Sequence, residues 1–581
     1  MTAKTTQAQA PRQRSKAEKT ALRYAAALGV IALVSLMLHS LLLAALGVLG
    51  LLTFAVLHAR RAHRRWRQGG KSAARRRAKY QGWASHKDIL RLRWAHAALT
   101  RRVCPGAGLL VLGRARRQAV AVCRENSAMY VGVPGYWKTS ALACHAADAP
   151  GLLFATSTKT GLLLDTVPYR ARAGRRIWVL NADGYGGIPS NLTWSPVEGC
   201  EVRQTAMRRA GDLMDAAPHD PSGKDAHWDA LSKEMLQYLL KAAALLDGAN
   251  ILTVQEWASN PLTAGKAAEV LGQHDPGWGR GLVSMVTQAL NDDKYWSAIS
   301  SGVGAALAWI KDDAMEAAAC PRPGDGFSAR EFARSSDSAY LIGRKRPSGS
   351  LAPYFAALGA EIFEQIKVYA MEQPSGRPPV MPTYVLDEMP LTCPMPLHDM
   401  LAEAREFATF ILAVQTLAQL RAKFGKDDGD TIRSTCPVEV FTGGEKRHED
   451  LESVSGVIGN VDTWHGSHDD LRAEPLMPPG ALHRLKKGKA VILLPECRPV
   501  LASLPAIWKR PGHKRATLGD FPALTPATRR AIEAPRNPIA MPGARPEITV
   551  PEWAVFTAPD AVPAITENEE DSWHETSAAA S

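Results

Sequence analysis

Closely spaced cysteine pairs are missing from this sequence of 581 residues. Its eight cysteines are scattered, and no two of them have the spacing of a CxxC motif or of a metal-ligand pair. Scattered thiols in a cytoplasmic body are usually reduced and buried, so we expect neither a disulfide nor a zinc site. Apolar residues make up 46% and charged residues 22% of the chain. This balance excludes wholesale disorder and a collagen-like or repeat composition, and the length leaves room for about two to four domains.

Acidic residues are almost absent from the first 80 residues, where Glu18 is the only one. Sixteen lysines and arginines stand against it, which gives this stretch a net charge of +15. Because the whole chain carries +13, the other 501 residues carry −2. A basic surplus suggests an anionic partner, either nucleic acid or a membrane surface. The arginine cluster at 60–67 follows an apolar run, which favours membrane lipids as the partner of this stretch.

Charged residues of either sign are missing from residues 24–57, an apolar run whose main polar break is His39-Ser40. One membrane-spanning helix needs about 20 apolar residues, and two need about 34–40 with a tight turn. Basic clusters on both flanks favour a transmembrane hairpin with both ends in the cytoplasm. A single long tilted helix is the alternative. We therefore expect a multi-pass protein of the inner (plasma) membrane with the bulk of the chain in the cytoplasm.

Strand and helix signals alternate from about residue 119, which predicts an α/β fold with a parallel sheet covered on both faces. Between 201 and 319 the strand signals fade, and apolar residues recur at helical spacing. This change indicates an inserted all-helical domain. Strand signals return afterwards, and the end of the chain is proline-rich and then acidic, which is typical of disorder.

A glycine-rich turn, GVPGYWKTS, links a strand signal to a helix signal at 132–140. In a phosphate-binding loop, a first glycine is followed after four residues by Gly-Lys-Ser/Thr. Gly132, Lys138 and Thr139 stand at these offsets, and Trp137 replaces the second glycine. Such a loop binds phosphate through backbone N–H groups, its lysine and a hydroxyl on Mg²⁺. The alternative is a surface turn. The candidate nucleotide ligands are Gly132, Gly135, Lys138, Thr139 and Ser140.

Two adjacent carboxylates, Asp387 and Glu388, end the apolar segment PTYVLDEMP. The carboxyl end of a sheet strand suits a nucleotide site. Asp387 is then a candidate Mg²⁺ ligand together with Thr139, and Glu388 is a candidate general base for the attacking water. The alternative is a solvated turn that happens to carry two acids.

Arg405 and Gln415 follow in the segment AEAREFATFILAVQTLAQLRAKFG. Gln415 is predicted at the tip of a strand, where it can sense the γ-phosphate or position water. Arg405 is a candidate arginine finger that acts on the nucleotide of a neighbouring subunit. In the alternative interpretation, Arg405 is a surface residue and Gln415 is a helix cap.

In order and spacing, these segments resemble one family, the type IV coupling proteins, which are the TraG/TraD-type ATPases of conjugation and type IV secretion. The family's V-L-D-E motif, arginine segment and Q-x-x-x-Q-L motif appear here at 385–388, Arg405 and 415–420. Two later segments, 456–464 and 474–500, are similar to other parts of the family. The helical insertion and the apolar N-terminal run match the family in position.

This resemblance implies a RecA-like P-loop nucleotide-binding domain with an inserted all-alpha domain and an N-terminal transmembrane hairpin, assembled as a homo-hexamer. It implies ATP and Mg²⁺ as cofactors. Hydrolysis would drive single-stranded DNA, often with a bound relaxase, or effector protein into the channel components of a type IV secretion system. The predicted divisions are a basic cytoplasmic N-terminus (1–23), the hairpin (24–57), a basic juxtamembrane linker (58–100), the two parts of the nucleotide-binding domain (101–199 and 326–512), the all-alpha insertion (200–325) and a proline-rich, acidic disordered tail (513–581).

Two departures from the family pattern leave other functions open. Trp137 stands in place of a glycine, and the family's Asp-Lys-Gly-type motif is replaced by Ser157-Thr158-Lys159-Thr160-Gly161. A docking scaffold that binds nucleotide weakly is the first alternative. A double-stranded DNA pump of the chromosome-segregation type is the second, although the tail at 515–581 does not resemble the winged-helix reader expected of that class.

Overall fold

One large mixed sheet organises the chain after residue 81. The computed structural model describes residues 23–37, 52–60, 82–104, 107–171, 175–218, 226–322, 326–343, 349–465 and 470–516. The strands are β1 (Leu110–Ala115), β2 (Gln118–Val122), β3 (Ala128–Val131), β4 (Leu153–Ser157), β5 (Ile177–Asn181), β6 (Ser338–Ile342), β7 (Thr383–Leu386), β8 (Thr409–Val414), β9 (Val438–Thr442), β10 (Asn460–His465), β11 (Asp470–Pro475), β12 (Lys489–Leu494) and β13 (Cys497–Ser503).

Eleven of these strands form the sheet, in the order β2-β1-β13-β12-β9-β3-β8-β7-β4-β6-β5. From β9 to β5 all neighbours are parallel, whereas β12, β13, β1 and β2 extend the sheet beyond β9 as antiparallel strands. β10 and β11 form a separate hairpin. The predicted α/β class with a parallel sheet is confirmed.

Two helices are described before residue 82, α1 at 23–37 and α2 at 52–60. The prediction of a transmembrane hairpin over 24–57, and with it the multi-pass inner-membrane location, is wrong for the described residues. Within the described residues, no helix is long and apolar enough to cross a membrane. The predicted break at His39-Ser40, most of the basic segments and the tail from 517 lie outside the described residues.

Helices cover both faces of the sheet. They are α3 (His86–Val103), α4 (Lys138–Ala147), α5 (Gly161–Ala171), α6 (Arg203–Ala216), α7 (Ala226–Leu245), α8 (Ile251–Ser259), α9 (Pro261–His274), α10 (Pro276–Asn291), α11 (Asp293–Ala306), α12 (Asp313–Ala319), α13 (Ala329–Ala333), α14 (Ala352–Met371), α15 (Met389–Thr392), α16 (Leu397–Phe407), α17 (Leu417–Phe424), α18 (Lys426–Thr435), α19 (His448–Ile458) and α20 (Pro479–His483).

The central strands β3, β7 and β8 are buried along their whole length. Successive side chains of a strand point to opposite faces, so a strand covered on both sides is a continuous apolar run. On β3, Ala128 and Tyr130 join the core that includes α4 and α5, whereas Met129 and Val131 join the core that includes α14 and the helices after β5. This double burial fixes where each strand ends, and therefore where its polar successor lies.

Helices α6 to α12 all lie between β5 and β6 in the chain. α6 packs on α14 through a buried ion pair in which Arg208 and Arg209 both donate to Glu361 Oε2, at 2.8 and 2.7 Å. The guanidinium of Arg209 also lies 4.5 Å from the centroid of the Trp194 ring. These contacts join the helical segment to the helix that supports β7.

A second connection joins α17 to the last turn of α6. Lys423 Nζ donates to the carbonyl oxygens of Asp215, Ala216 and Ala217, at 3.0, 3.1 and 2.9 Å. The last carbonyls of a helix have no partner within it, and a cation there is favoured by the helix dipole. Lys423 therefore holds the helical segment against the helix that follows β8.

Replacing Lys423 with methionine is expected to lower the free energy of unfolding by about 1–3 kcal/mol, because three carbonyls lose their charged donor while the apolar stem is kept. Urea denaturation followed by circular dichroism measures the change. Lys426→Met, at an exposed lysine of α18, is the matched control and should leave the midpoint unchanged. Equal midpoints for the two variants would contradict the structural role of Lys423.

Candidate functional site

Four neighbouring parallel strands end at one edge of the sheet, and a polar segment follows each of them. β8 lies between β3 and β7, and β4 lies on the far side of β7. The last residues of β3 and β8 are in register, as are the last residue of β7 and the fourth of β4. Ligands of open α/β sheets bind beyond the carboxyl ends of the strands. The residues gathered there are the turn 132–140, Asp387, Glu388, Gln415 and Ser157.

The glycine-rich turn after β3 needs backbone conformations that side chains disfavour. Gly132 has φ 148° and Gly135 has φ 87°. A Cβ on Gly132 would overlap the hydroxyl of Thr442. The chain then enters α4 at Lys138, so the free N–H groups of a ten-residue helix face the turn. This geometry gives an anion a backbone cradle and a helix N-terminus.

Trp137 takes up the left-handed backbone conformation that favours glycine, with φ 73°. For a residue with a Cβ this conformation costs about 1–2 kcal/mol. Its ring packs against Gly488, where a Cβ would overlap it, and makes an edge contact with Trp508 at 5.1 Å between centroids. Lys509 Nζ lies 4.7 Å from the Trp137 centroid. The loop thus keeps its path despite the missing glycine, because these contacts hold the indole.

Lys138 is 7% exposed and its Nζ donates to the carbonyl oxygen of Gly132, across the turn. Burial lowers the pKa of this ammonium to about 8, while the charges of Asp387, Glu388 and Glu445 oppose that shift. This desolvated ammonium lies between the backbone of the turn and two carboxylates. In that position it is suited to bind a polyphosphate that lies along the turn.

Asp387 lies at the buried end of the site and faces two hydroxyl groups. Its Oδ2 accepts from Thr139 Oγ1 at 3.1 Å and from Ser157 Oγ at 3.4 Å. Burial raises the pKa of this carboxyl, and the neighbouring Glu388 raises it further, against the Thr139 hydrogen bond and the Lys138 charge. Oxygen donors of this kind suit Mg²⁺, which prefers one or two carboxylates together with water and phosphate oxygens. Within the described ranges, no group of three or more His, Cys, Asp or Glu side chains forms a separate metal centre.

Glu388 turns the chain sharply after β7, with φ 51°. Its Oε1 accepts from Gln415 Nε2 at 3.0 Å. Gln419 Oε1 in turn accepts from the backbone N–H of Gln415 at 3.3 Å. Two strand ends are therefore linked by a carboxylate–amide contact that orients Glu388 beside the cleft.

Arg405 does not join these residues. It lies at the end of α16, immediately before β8, with its side chain 72% exposed. Its Nε is 3.3 Å from Oε2 of Glu125, which Arg377 also contacts at 2.6 Å. Glu125 precedes β3, so this cluster is at the amino ends of the strands, opposite the glycine-rich turn. Arg405 therefore makes no contact with its own chain's cleft.

A cleft of about 350 Å³ opens between these segments. Some of the residues that line the cleft were not predicted from the sequence to belong to the site. For only some of these does the sequence contain a pattern that could have identified them. Ser157 directly ends a buried strand, as Asp387 directly follows one, and could have been found by that rule. Lys159, from the segment that departs from the family pattern, also lines the cleft. Trp508 had no local signal, since it reaches the cleft from a distant segment. The lining includes Gly135, Trp137, Lys138, Thr139, Ser140, Ser157, Lys159, Asp387, Glu388 and Trp508.

Residues 382–487 match the family model described as the TraM recognition site of TraD and TraG. This range contains Asp387, Glu388, Arg405 and Gln415. The predicted resemblance to the TraG/TraD type IV coupling proteins is confirmed. No curated protein sequence matches the chain.

A solved structure of a conjugative coupling protein shares the fold, and two further solved structures are similar to the chain to a lesser degree. The bacterial conjugative coupling protein TrwBdeltaN70, in its unbound monoclinic form, matches with a TM-score of 0.53 and 16% identity, covering 70% of this chain and 91% of that chain. The plasmid coupling protein TrwB in complex with ADP and Mg²⁺ matches with a TM-score of 0.44 and 16% identity, covering 64% and 90%. VirB4 of Thermoanaerobacter pseudethanolicus matches with a TM-score of 0.38 and 13% identity, covering 70% and 98%.

Proposed function

We propose that this chain is an ATP-hydrolysing coupling protein of the TraG/TraD type, which moves single-stranded DNA with its relaxase, or effector protein, into a type IV secretion channel. The observation that carries the proposal is the cleft itself. It brings a phosphate loop, a Thr–Asp pair and a Glu–Gln pair to one sheet edge from positions up to 283 residues apart, Gly132 to Gln415. The match of residues 382–487 to the TraM recognition site of TraD and TraG supports the assignment to the coupling proteins.

The turn 132–137 and the start of α4 would bind the triphosphate through backbone N–H groups, with Lys138 on the β- and γ-phosphates. Thr139 and Asp387 would hold Mg²⁺, since a buried carboxylate that faces two hydroxyls fits a hard cation. When bound, Mg²⁺ neutralises charge that develops on the phosphates. Triphosphate binding replaces the contact of Lys138 with the Gly132 carbonyl, so the ammonium exchanges a neutral acceptor for an anionic one.

Glu388 would act as general base toward the attacking water. The amide of Gln415, 3.0 Å away, fixes the carboxylate and can hold the same water. Because Gln415 lies between β8 and α17, a change at the γ-phosphate would be transmitted along α17 to Lys423 and the last turn of α6. A structural change caused by hydrolysis would thus be transmitted to the helical segment through direct contacts.

Arg405 would act on a neighbouring subunit in a homo-hexamer. Its exposure and its position on the edge opposite the cleft support this assignment, since an arginine finger that acts on another subunit must be accessible to that subunit. Glu125 would hold the guanidinium until a neighbour's phosphate replaces that carboxylate.

The proposed domains are a nucleotide-binding domain, formed by 101–199 and 326–512, and an all-alpha domain, 200–325, that contacts the cargo. The position of α6 to α12 between β5 and β6 in the chain supports this division.

The purified full-length chain is expected to hydrolyse ATP, to lose all turnover in EDTA, and to regain it with Mg²⁺. Single-stranded DNA should raise the rate severalfold, whereas double-stranded DNA at the same total phosphate concentration serves as the control. A phosphate-release assay measures each condition. A hydrolysis rate that neither DNA changes would contradict the DNA-translocase assignment. Effector protein would then be the cargo to test.

A scaffold function makes a different prediction. A docking scaffold would bind relaxosome proteins, such as a TraM-type partner, without hydrolysing ATP under any of these conditions. Pull-down of the relaxase together with zero turnover would therefore favour the scaffold over the motor.

A further inference from the structure

Trp508 is a large aromatic residue that remains 50% exposed while it lines the cleft. It belongs to the short 3-10 helix Ile507–Lys509, which follows the last strand of the sheet. Its indole combines a large apolar ring with a polar N–H group, and such rings often lie at binding surfaces. An exposed indole at the mouth of the cleft is therefore placed to contact a ligand that enters it.

The Trp508 segment is held firmly on α4. The backbone N–H of Ile507 donates to Ser140 Oγ at 2.9 Å. Two residues beyond Trp508, Arg510 donates to the carboxylate of Asp148, at 2.9 Å for one of its nitrogens, and to the carbonyl oxygen of Cys144 at 3.2 Å. These bonds tie both sides of Trp508 to the helix whose N-terminus faces the glycine-rich turn. The indole is thus fixed relative to the turn before any ligand arrives.

Neighbouring side chains of α4 mark the two ends of the cleft. Thr139 points to Asp387, at the end where a γ-phosphate and Mg²⁺ belong. Ser140, the next residue, points instead to the Trp508 segment. In a phosphate loop, the α- and β-phosphates lie on the backbone of the turn and the lysine reaches the β- and γ-phosphates. The base of the nucleotide therefore leaves on the side away from Asp387, toward Trp508.

We infer that Trp508 forms the base subsite of the cleft, stacking on the purine ring of the nucleotide while Trp137 supports it from behind. This inference rests on the proposed function. The 5.1 Å edge contact, with the two rings 83° apart, holds Trp508 without covering its exposed half. Trp137 thus supports the Trp508 ring through a contact that a glycine at this position could not make. Base–aromatic stacking strengthens binding by about 5- to 150-fold per base.

The test compares two ligands that share the phosphates and differ in the base. Isothermal titration of the full-length chain with Mg²⁺ and a non-hydrolysable ATP analogue, and separately with inorganic tripolyphosphate, gives both Kd values. Trp508→Ala is expected to weaken binding of the ATP analogue about tenfold and to leave binding of tripolyphosphate unchanged. Trp508→Phe should retain most of the affinity, because a phenyl ring still stacks.

Two further variants separate stacking from folding. Trp508→Leu keeps an apolar contact for Trp137 and should weaken the ATP analogue as Trp508→Ala does. Trp94→Ala removes a 70% exposed tryptophan from α3 and should change neither Kd. Equal losses for both ligands would show that Trp508 only shapes the loop, and an unchanged Kd for the ATP analogue would also overturn the inference while leaving the proposed function intact. A wild-type chain that binds neither ligand would overturn the proposed function itself.

Discussion

Replacing Lys138 with alanine is expected to lower the rate of ATP hydrolysis by at least about 100-fold and to weaken nucleotide binding. The ammonium is buried beside the glycine-rich turn, where a charge is far more effective than in water. Burial lowers the pKa of this ammonium to about 8. Alanine removes the charge that would bridge the β- and γ-phosphates, and no other described lysine side chain is held against the Gly132 carbonyl.

The measurement is turnover and nucleotide affinity for the full-length variant beside wild type. Lys489→Ala is a suitable control, because Lys489 is a strand lysine whose ammonium is exposed and bonded to Ser503 at 2.7 Å. It should match wild type in both measurements. Turnover of Lys138→Ala within a few fold of wild type would remove Lys138 from the site, and the phosphate-loop assignment of 132–140 with it.

Much of the site follows from local sequence because parallel strands end together. Gly132, Lys138 and Thr139 are recognisable by spacing, and Asp387 with Glu388 by a buried strand that stops at two acids. Once such strands are neighbours, their successors must meet, and the 3.1 Å contact between Thr139 and Asp387 is the result. Local pattern thus predicts which segments converge, although it does not order the strands across the sheet.

Other parts of the site depend on contacts that no local pattern encodes. Ser140 and Ile507 are 367 residues apart, so no local pattern in the sequence places Trp508 beside α4. For the same reason, the sequence shows Trp137 only as a departure from the phosphate-loop pattern, whereas the fold shows that its ring is packed. Arg405 shows the converse, since its motif places it beside the site in sequence, whereas α16 carries it to the opposite edge.

Replacing Glu388 with glutamine is expected to lower turnover by about 100- to 10,000-fold while nucleotide affinity stays close to that of wild type. Glutamine has nearly the same shape, and its carbonyl oxygen can still accept from Gln415 Nε2, so the cleft should keep its form. What is lost is the group that accepts a proton from the attacking water. This pattern differs from that of Lys138→Ala, which should lose binding as well. Glu403→Gln, at an exposed glutamate of α16, is the control.

A second substitution at the same position separates a base from a support. If Glu388 served only to hold Gln415 at 3.0 Å, Glu388→Gln would keep that contact and most of the turnover, and only Glu388→Ala would be slow. If Glu388 is the base, both variants should be slow, and both should bind ATP long enough to be isolated with it unhydrolysed. Single-turnover hydrolysis of prebound ATP distinguishes the two outcomes, because it measures the chemical step without product release. Fast hydrolysis by Glu388→Gln would show that another group in the cleft is the general base. Glu388 would then only position Gln415, and Gln415 would be the group that holds the water.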